Sequence, residues 1–226
     1  MVPALAEAEF GMASGSFILL MAFIISFGFV KGAMNFVAGR LSERVGRRNV
    51  LLWGWCAAIP IPFMILYGPS WDWIVAANIL LVINQGFAWS MTVTSKVDIT
   101  RAEQRGLATG FNEFAGYGGV AIAGLVTGYL AADFDPRMSL FIFGLTVIVI
   151  ALIAAFALAK DTLPWARAEA KAHDSGTHTG PRPRFPENVP AHPSTLEILA
   201  LVTYRHRTFA ALSQTGCVKK FVDALV

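Results

Sequence analysis

Residues 39–48 read Gly39-Arg-Leu-Ser-Glu43-Arg-Val-Gly46-Arg-Arg48 and lie between two long apolar runs. The stretch, named here the arginine loop, holds four arginines, two glycines and one carboxylate. Arginine does not lose its charge, so it keeps a loop on one side of a bilayer. Gly46 supplies a backbone conformation that residues with a Cβ resist, and Gly39 is predicted to let its helix approach a neighbour closely. The arginine loop therefore predicts a tight turn between two membrane helices.

The composition is typical of a membrane protein. Of the 226 residues, 55% are hydrophobic and 15% are charged, whereas the charged share of soluble domains is about 25%. The apolar residues come in runs of about 20, the length of helix that crosses a hydrocarbon core about 30 Å thick. The sequence therefore predicts an all-α, polytopic transmembrane helix bundle that contacts the lipid bilayer.

Five membrane spans are predicted, each bounded by charged or turn-forming residues. They lie at 16–38, 50–67, 73–95, 106–132 and 138–159. The fourth span contains two glycine pairs, Gly106/Gly110 and Gly124/Gly128, whose spacing of four predicts close contact with a neighbouring helix. The fifth span is almost purely apolar, so it is predicted to face lipid.

The distribution of charge predicts the orientation of the chain. The arginine loop, residues 96–105 and the residues from Lys160 onward are basic, whereas the opposite ends of the spans carry only Arg137. By the positive-inside rule the basic side is cytoplasmic, in a plasma or inner membrane. After the fifth span, Pro164 to His173 are predicted to form a short surface helix. The predicted segments are an extracytoplasmic segment at 1–15, the five-helix bundle at 16–159, a cytoplasmic loop at 160–208 and the start of a further span at 209–226.

The placement of the reactive residues excludes several classes of function. The net charge of +3 does not indicate a nucleic-acid partner, because the basic residues lie in loops where membrane topology explains them. Cys56 and Cys217 form neither a disulfide framework nor a metal-ligand spacing. The sequence has no phosphate loop, and its spans hold no paired carboxylates. We therefore expect no enzyme, no metal and no cofactor.

The arginine loop resembles the signature loop of the major facilitator superfamily, Gly-x-Leu-x-Asp-Arg-x-Gly-Arg-Arg. Glu43 stands where the family usually has aspartate. The positions that match outright are Gly39, Leu41, Arg44, Gly46, Arg47 and Arg48. The segment from Arg105 to Gly110 is also similar to the family's loop between its helices four and five.

Two other stretches depart from the family. Its helix-four pattern, Arg-x-x-Gln-Gly, is present only as Gln85-Gly86, with Val82 in place of the arginine that the family associates with proton coupling. The glycine-rich fourth span also lacks the Gly-Pro of many antiporters. The resemblance therefore implies neither proton coupling through that arginine nor an antiporter.

The resemblance implies a fold and a function. Transporters of this family have twelve helices in two six-helix halves, and the five spans resemble helices two to six of the first half. The expected fold is a six-helix half that lacks its first helix, with the missing C-terminal half as a partner. The expected function is secondary active transport of a small solute by alternating access, with this chain a fragment of a permease or efflux carrier. The alternative is a truncated, non-transporting membrane protein that functions only by assembling with another half.

The resemblance also implies a gate. Glu43 would face a helix N-terminus in the opposite half, where a carboxylate is stabilised by about 0.3–1 kcal/mol. Arg44 or Arg47 would pair with Asp98, and Asp98→Asn is expected to change transport without removing the protein from the membrane. The predicted gating residues are Gly39, Glu43, Arg44, Gly46, Arg47, Arg48 and Asp98.

Polar side chains within the spans indicate a pathway for the solute, because such groups are costly in a membrane. The predicted pathway residues are Lys31, Asn35, Asn84, Gln85, Trp89, Asn112, Glu113 and Tyr117. Purely structural roles remain open for some of them. Lys31 would extend to the interface and Glu113 would be protonated or bonded to backbone. The amides of Asn84 and Gln85 would hold helices together. A Lys31–Glu113 pair is a further possibility, because the two lie at nearly equal depth.

Overall fold

The computed structural model describes residues 17–174, 195–205, 208 and 210–215. Within them every regular element is helical, which confirms the predicted all-α helix bundle. The chain divides into two compact units, Met1–Ser175 and Gly176–Val226. The predicted segment at 1–15 and most of the predicted further span at 209–226 lie outside the described residues.

The described part of the first unit consists of seven α-helices. They are α1 (Phe17–Val45), α2 (Arg47–Ala58), α3 (Pro60–Tyr67), α4 (Trp71–Ile99), α5 (Arg105–Asp133), α6 (Pro136–Leu158) and the shorter α7 (Leu163–Asp174). A 3-10 turn at Ala102–Gln104 joins α4 to α5. In the second unit, α8 (Thr195–Ala200) is followed by a π-helical segment at Leu201–Arg205, and residues 210–215 are also helical.

The helices depart most from the predicted spans at two places. Helix α1 continues through most of the arginine loop to Val45, so the turn consists of Gly46 alone. The second predicted span is divided into α2 and α3 at Ile59, directly before Pro60. Proline cannot donate a backbone hydrogen bond and its ring clashes with the preceding turn, which accounts for the break. The amide of Ile59 instead donates to Cys56 O at 3.2 Å.

Helix α4 is the centre of the first unit and packs against α1, α2, α3 and α5. Two glycines permit this close packing. A Cβ at Gly86 would lie 2.7 Å from Met34 Cβ of α1, and a Cβ at Gly54 would lie 2.8 Å from Phe87 Cβ of α4. Such distances are shorter than van der Waals contact, so glycine is needed at both crossings.

Two buried apolar clusters hold the helices together. The first joins α1, α2 and α4 near the arginine loop and consists of Ala38, Val50, Phe87 and Met91. The second joins α2, α3, α4 and α6 and consists of Ala58, Ile61, Ala77 and Ile148. Val50 and Met91 are fully buried. The first cluster therefore fixes the positions of the helix ends that carry the candidate gate.

The predicted contact at the paired glycines of α5 is wrong for the part of the chain that the structure describes. A Cβ at any of these four positions would meet no heavy atom within 4 Å; they are Gly106, Gly110, Gly124 and Gly128. The close approach on α5 occurs instead at Gly116, where a Cβ would lie 2.6 Å from the indole ring of Trp89. A spacing of four aligns glycines on one face, but it does not determine which face meets a neighbour.

Three helical segments in the described residues are long and apolar enough to cross a membrane. They are Arg47–Tyr67, Trp71–Ile99 and Arg137–Leu158. Only 11% of the most apolar 18-residue window in Arg137–Leu158 is buried within the protein. A helix that is both so apolar and so exposed is suited to contact lipid, as predicted for the fifth span. The membrane-spanning role of α1 and α5 stays a prediction.

Candidate functional site

The turn of the arginine loop is built from a glycine and a distant carboxylate. Gly46 has φ 94° and ψ 156°, a conformation that is essentially restricted to glycine. Its amide donates to Ser42 O at 3.1 Å, which ends α1. As the N-cap of α2, Gly46 has no side chain to bond the first amides of that helix. Asp161, which follows α6, provides the missing acceptor, because its Oδ1 accepts from Arg47 N at 2.8 Å.

Arg47 and Asp98 form a buried ion pair between the start of α2 and the end of α4. The Arg47 Nε to Asp98 Oδ2 distance is 3.1 Å, and the two side chains are 9% and 8% exposed. Arg47 Nη1 also donates to Ser42 Oγ at 2.9 Å, and Thr162 Oγ1 donates to Asp98 Oδ2 at 2.8 Å. The pair therefore joins α1, α2, α4 and the residues after α6 at one point.

Glu43 and Arg44 of the arginine loop lie at the surface of the unit. Glu43 is 61% exposed in its side chain and pairs with Arg40 at 3.5 Å, and Arg44 is exposed. Of the two arginines proposed as partners of Asp98, Arg47 is the one that binds it. The predicted close approach at Gly39 is wrong within the described residues, since a Cβ there would meet no heavy atom within 4 Å.

Arg48 connects the loop to the end of α6. Its Nη2 donates to Phe156 O at 2.9 Å, and its guanidinium lies 5.3 Å from the centroid of the Phe156 ring. Such a cation–π contact adds about 0.5–1 kcal/mol at an exposed site. Arg48 therefore holds the end of α6, and with it Asp161, next to the start of α2.

Helix α7 is a further part of this site that sequence reasoning placed only as a surface helix. Arg105 Nη2 donates to both carboxylate oxygens of Glu169, at 2.6 and 2.7 Å. Arg167 Nη2 donates to Glu43 O at 3.1 Å. A signal for Asp161 and Glu169 was present in the sequence, because both are acidic residues at the basic end of the bundle. Their partners, 114 and 64 residues away, were not predictable from spacing.

We expect Asp161→Ala to lower the free energy of unfolding by about 1–2 kcal/mol, because it removes the acceptor of the first amide of α2. Asp161→Asn is the matched control, since it keeps an oxygen in place and loses only the charge near the helix N-terminus. It is expected to lose about 0.3–1 kcal/mol. Unfolding of the purified chain by dodecyl sulfate, followed by far-UV circular dichroism, measures both. Equal stability of the alanine variant and the unmodified chain would contradict this role for Asp161.

Polar side chains of α1 and α4 form a row of contacts between these two helices. Lys31 Nζ donates to Gln85 Oε1 at 3.1 Å, and Ser90 Oγ donates to Asn35 Oδ1 at 3.1 Å. Lys31 also lies 5.2 Å from the centroid of the Phe27 ring. Because the two helices run in the same direction, the two hydrogen bonds lie about one helical turn apart along the seam. Ser90 was missed in the sequence because hydroxyl residues are ordinary in membrane helices.

Three of the other predicted pathway residues make structural contacts. Asn84 Nδ2 donates to Gly54 O at 3.0 Å in a buried setting, which joins α4 to α2 as the structural alternative proposed. Asn112 is buried and its Oδ1 accepts from Lys96 Nζ. Trp89 packs on Gly116 of α5.

Glu113 and Tyr117 lie on the exposed face of α5. The described residues contain no ion pair between Glu113 and Lys31, whose ammonium bonds Gln85 instead. The suggested Lys31–Glu113 pair is therefore absent from this arrangement of the helices. In the described part of the chain, no three His, Cys, Asp or Glu side chains lie close enough to hold a metal ion.

The family model described as Major Facilitator Superfamily matches residues 1–218. The curated proteins contain no match to the chain.

Proposed function

This chain belongs to the major facilitator superfamily, whose members are membrane transporters and not enzymes, and we propose that it moves a small solute by secondary active transport. The chain is an integral membrane protein. In the proposed mechanism it forms one half of an alternating-access carrier, with the partner half against the face that carries α1 and α5. The arginine loop and Asp98 form the gate, on the cytoplasmic side.

The observation that carries this proposal is the polar seam between α1 and α4. Lys31–Gln85 and Asn35–Ser90 place a cation, two amides and a hydroxyl along one line. At 1.5 Å per residue, Lys31 lies about 20 Å along the helix from the end of α1 at Val45. An ammonium at that depth raises the free energy of the folded protein in the membrane unless it faces a water-filled cavity. The seam is therefore suited to line a hydrated path for a polar or anionic solute.

The exposed face of α5 supports the same proposal. It presents large side chains and one carboxylate to the outside of the unit; they are Leu107, Phe111, Glu113, Phe114 and Tyr117. A mixed apolar and acidic surface is poorly suited to lipid alone. It fits an interface with a partner half in which Glu113 faces the cavity.

Thiol labelling tests whether the seam is hydrated. In a background with Cys56→Ser and Cys217→Ser, we expect Asn35→Cys to react with a membrane-impermeant maleimide. Val147→Cys on the apolar α6 is the matched control. Because only the ionised thiol reacts and hydrocarbon suppresses ionisation, the seam cysteine is expected to label more than about tenfold faster. Equally slow labelling at both positions in sealed membranes would contradict a hydrated seam.

A further inference from the structure

A groove of about 540 Å³ opens beside the gate, between the last turns of α4, the start of α2 and the end of α6. Its size is that of a small-molecule site. The lining is mostly apolar and includes Leu51, Met91, Ile99, Leu158 and Trp165. Met91 is fully buried and forms the floor, whereas Leu158 is 77% and Trp165 is 65% exposed. The groove is therefore a deep apolar slot with an open side.

Three cations line the same groove, against one carboxylate. They are Arg48, Lys96 and Lys160, with Asp161 as the acid. The carboxylate of Asp161 accepts a hydrogen bond from the amide of Arg47, which partly offsets its negative charge. Lys160 has neither a hydrogen bond nor an ion pair with any described residue. The groove consequently combines a surplus of positive charge with an apolar wall.

The place of the groove in the bundle indicates what meets it. Ile99 and Leu158 are the last residues of α4 and α6, so the groove lies at the level where these helices leave the membrane. Tryptophan and basic residues are enriched at this level, and basic pockets between membrane helices bind anionic lipid headgroups. A soluble anion would use the cations but leave the exposed apolar wall in water.

We propose that this groove binds an anionic phospholipid. Its phosphate contacts Lys160, Arg48 and Lys96, and the first carbons of an acyl chain pack against Ile99, Leu158 and Trp165. The site shares Asp161 and Thr162 with the network around Arg47 and Asp98, so the bound lipid stabilises the gate in the arrangement seen here. Binding itself does not depend on which solute the protein transports.

Fluorescence quenching by brominated lipids tests the proposal. The full chain is placed in nanodiscs of phosphatidylcholine that contain a minor fraction of brominated phosphatidylglycerol or, for comparison, brominated phosphatidylcholine. The difference between the unmodified chain and Trp165→Phe isolates the signal of Trp165. We expect the anionic lipid to quench Trp165 more strongly, and Lys160→Gln to weaken this preference about fivefold, the effect of one basic residue near a membrane surface.

Lys171→Gln is the matched control, because it removes one lysine from α7 without touching the lining of the groove. It is expected to keep the preference for the anionic lipid. Three results would overturn the proposal: equal quenching by the two lipids, an equal loss in both lysine variants, or displacement of the lipid signal by inorganic phosphate. Circular dichroism of each variant confirms that the comparison is made between folded chains.

Discussion

Asp98→Asn is expected to lower the free energy of unfolding by about 3 kcal/mol, at the low end of the cost of breaking a buried ion pair. The substitution leaves the guanidinium of Arg47, which is 9% exposed, without its counter-charge. The side-chain oxygen of the new asparagine can still accept the hydrogen bond from Thr162, which limits the loss of stability. The variant is expected to remain in the membrane fraction, since the substitution removes a charge from the end of α4 and leaves every apolar residue of the spans in place. Unfolding by dodecyl sulfate, followed by circular dichroism, measures the loss.

A double-variant cycle distinguishes the coupling energy of the ion pair from other effects of the two substitutions on stability. Replacing both partners of a buried ion pair by apolar residues often leaves the free energy of unfolding nearly unchanged, whereas removing one partner lowers it strongly. The double variant Arg47→Met with Asp98→Leu is therefore expected to be more stable than either single variant. Glu103→Gln, an exposed acid in the adjoining 3-10 turn, is the control and is expected to change stability by less than about 0.5 kcal/mol. Additive losses in the cycle would mean that the pair contributes no coupling.

The same variant tests the proposed gate. If the network around Asp98 holds one of two alternating states, its loss shifts the balance between them. Asn35→Cys is expected to change its labelling rate when Asp98→Asn is added, because the access of water to the seam follows the state of the gate. A rate that does not change would separate the stabilising role of the ion pair from any role in gating.

Features of this site that depend on residues close together in the sequence were predictable, whereas contacts between residues far apart in the sequence were predictable only in part. The apolar runs indicated where helices would form, because the length that crosses a bilayer is a local property of the chain. The resemblance of the arginine loop to the family's signature loop implied that Asp98 would meet Arg44 or Arg47. The choice between the two arginines was not predictable, because it depends on the turn at Gly46, which places Arg44 in α1 and Arg47 at the start of α2.

The packing faces were the least predictable feature. Four glycines of α5 have a spacing that suggested close contact, yet they face no described neighbour, whereas the isolated Gly54 and Gly86 lie at helix crossings. A repeat in the sequence identifies residues that share a face, but the neighbours of that face are set by the whole bundle. The partner of Lys31 was missed for the same reason, since depth alone does not show which helices are adjacent.

Gly46→Ala is expected to lower the free energy of unfolding by about 2–4 kcal/mol. Two costs combine in this value. The backbone at φ 94° and ψ 156° is strained by about 1–3 kcal/mol in a residue with a Cβ. A Cβ would also approach the carboxylate of Asp161 to less than van der Waals distance, so that group would move away and stop accepting from Arg47 N, a loss of about 1 kcal/mol.

Gly118→Ala is a control with the opposite expected sign. Gly118 is helical in α5 and a Cβ there would meet no described atom, so alanine is expected to stabilise the helix by about 0.5–1 kcal/mol. The double variant Gly46→Ala with Asp161→Ala distinguishes the two costs, because it removes the collision and keeps the strain. If strain dominates, the double variant is no more stable than Gly46→Ala alone. If the collision dominates, the double variant recovers to the stability of Asp161→Ala, and the turn depends on the carboxylate more than on the glycine backbone.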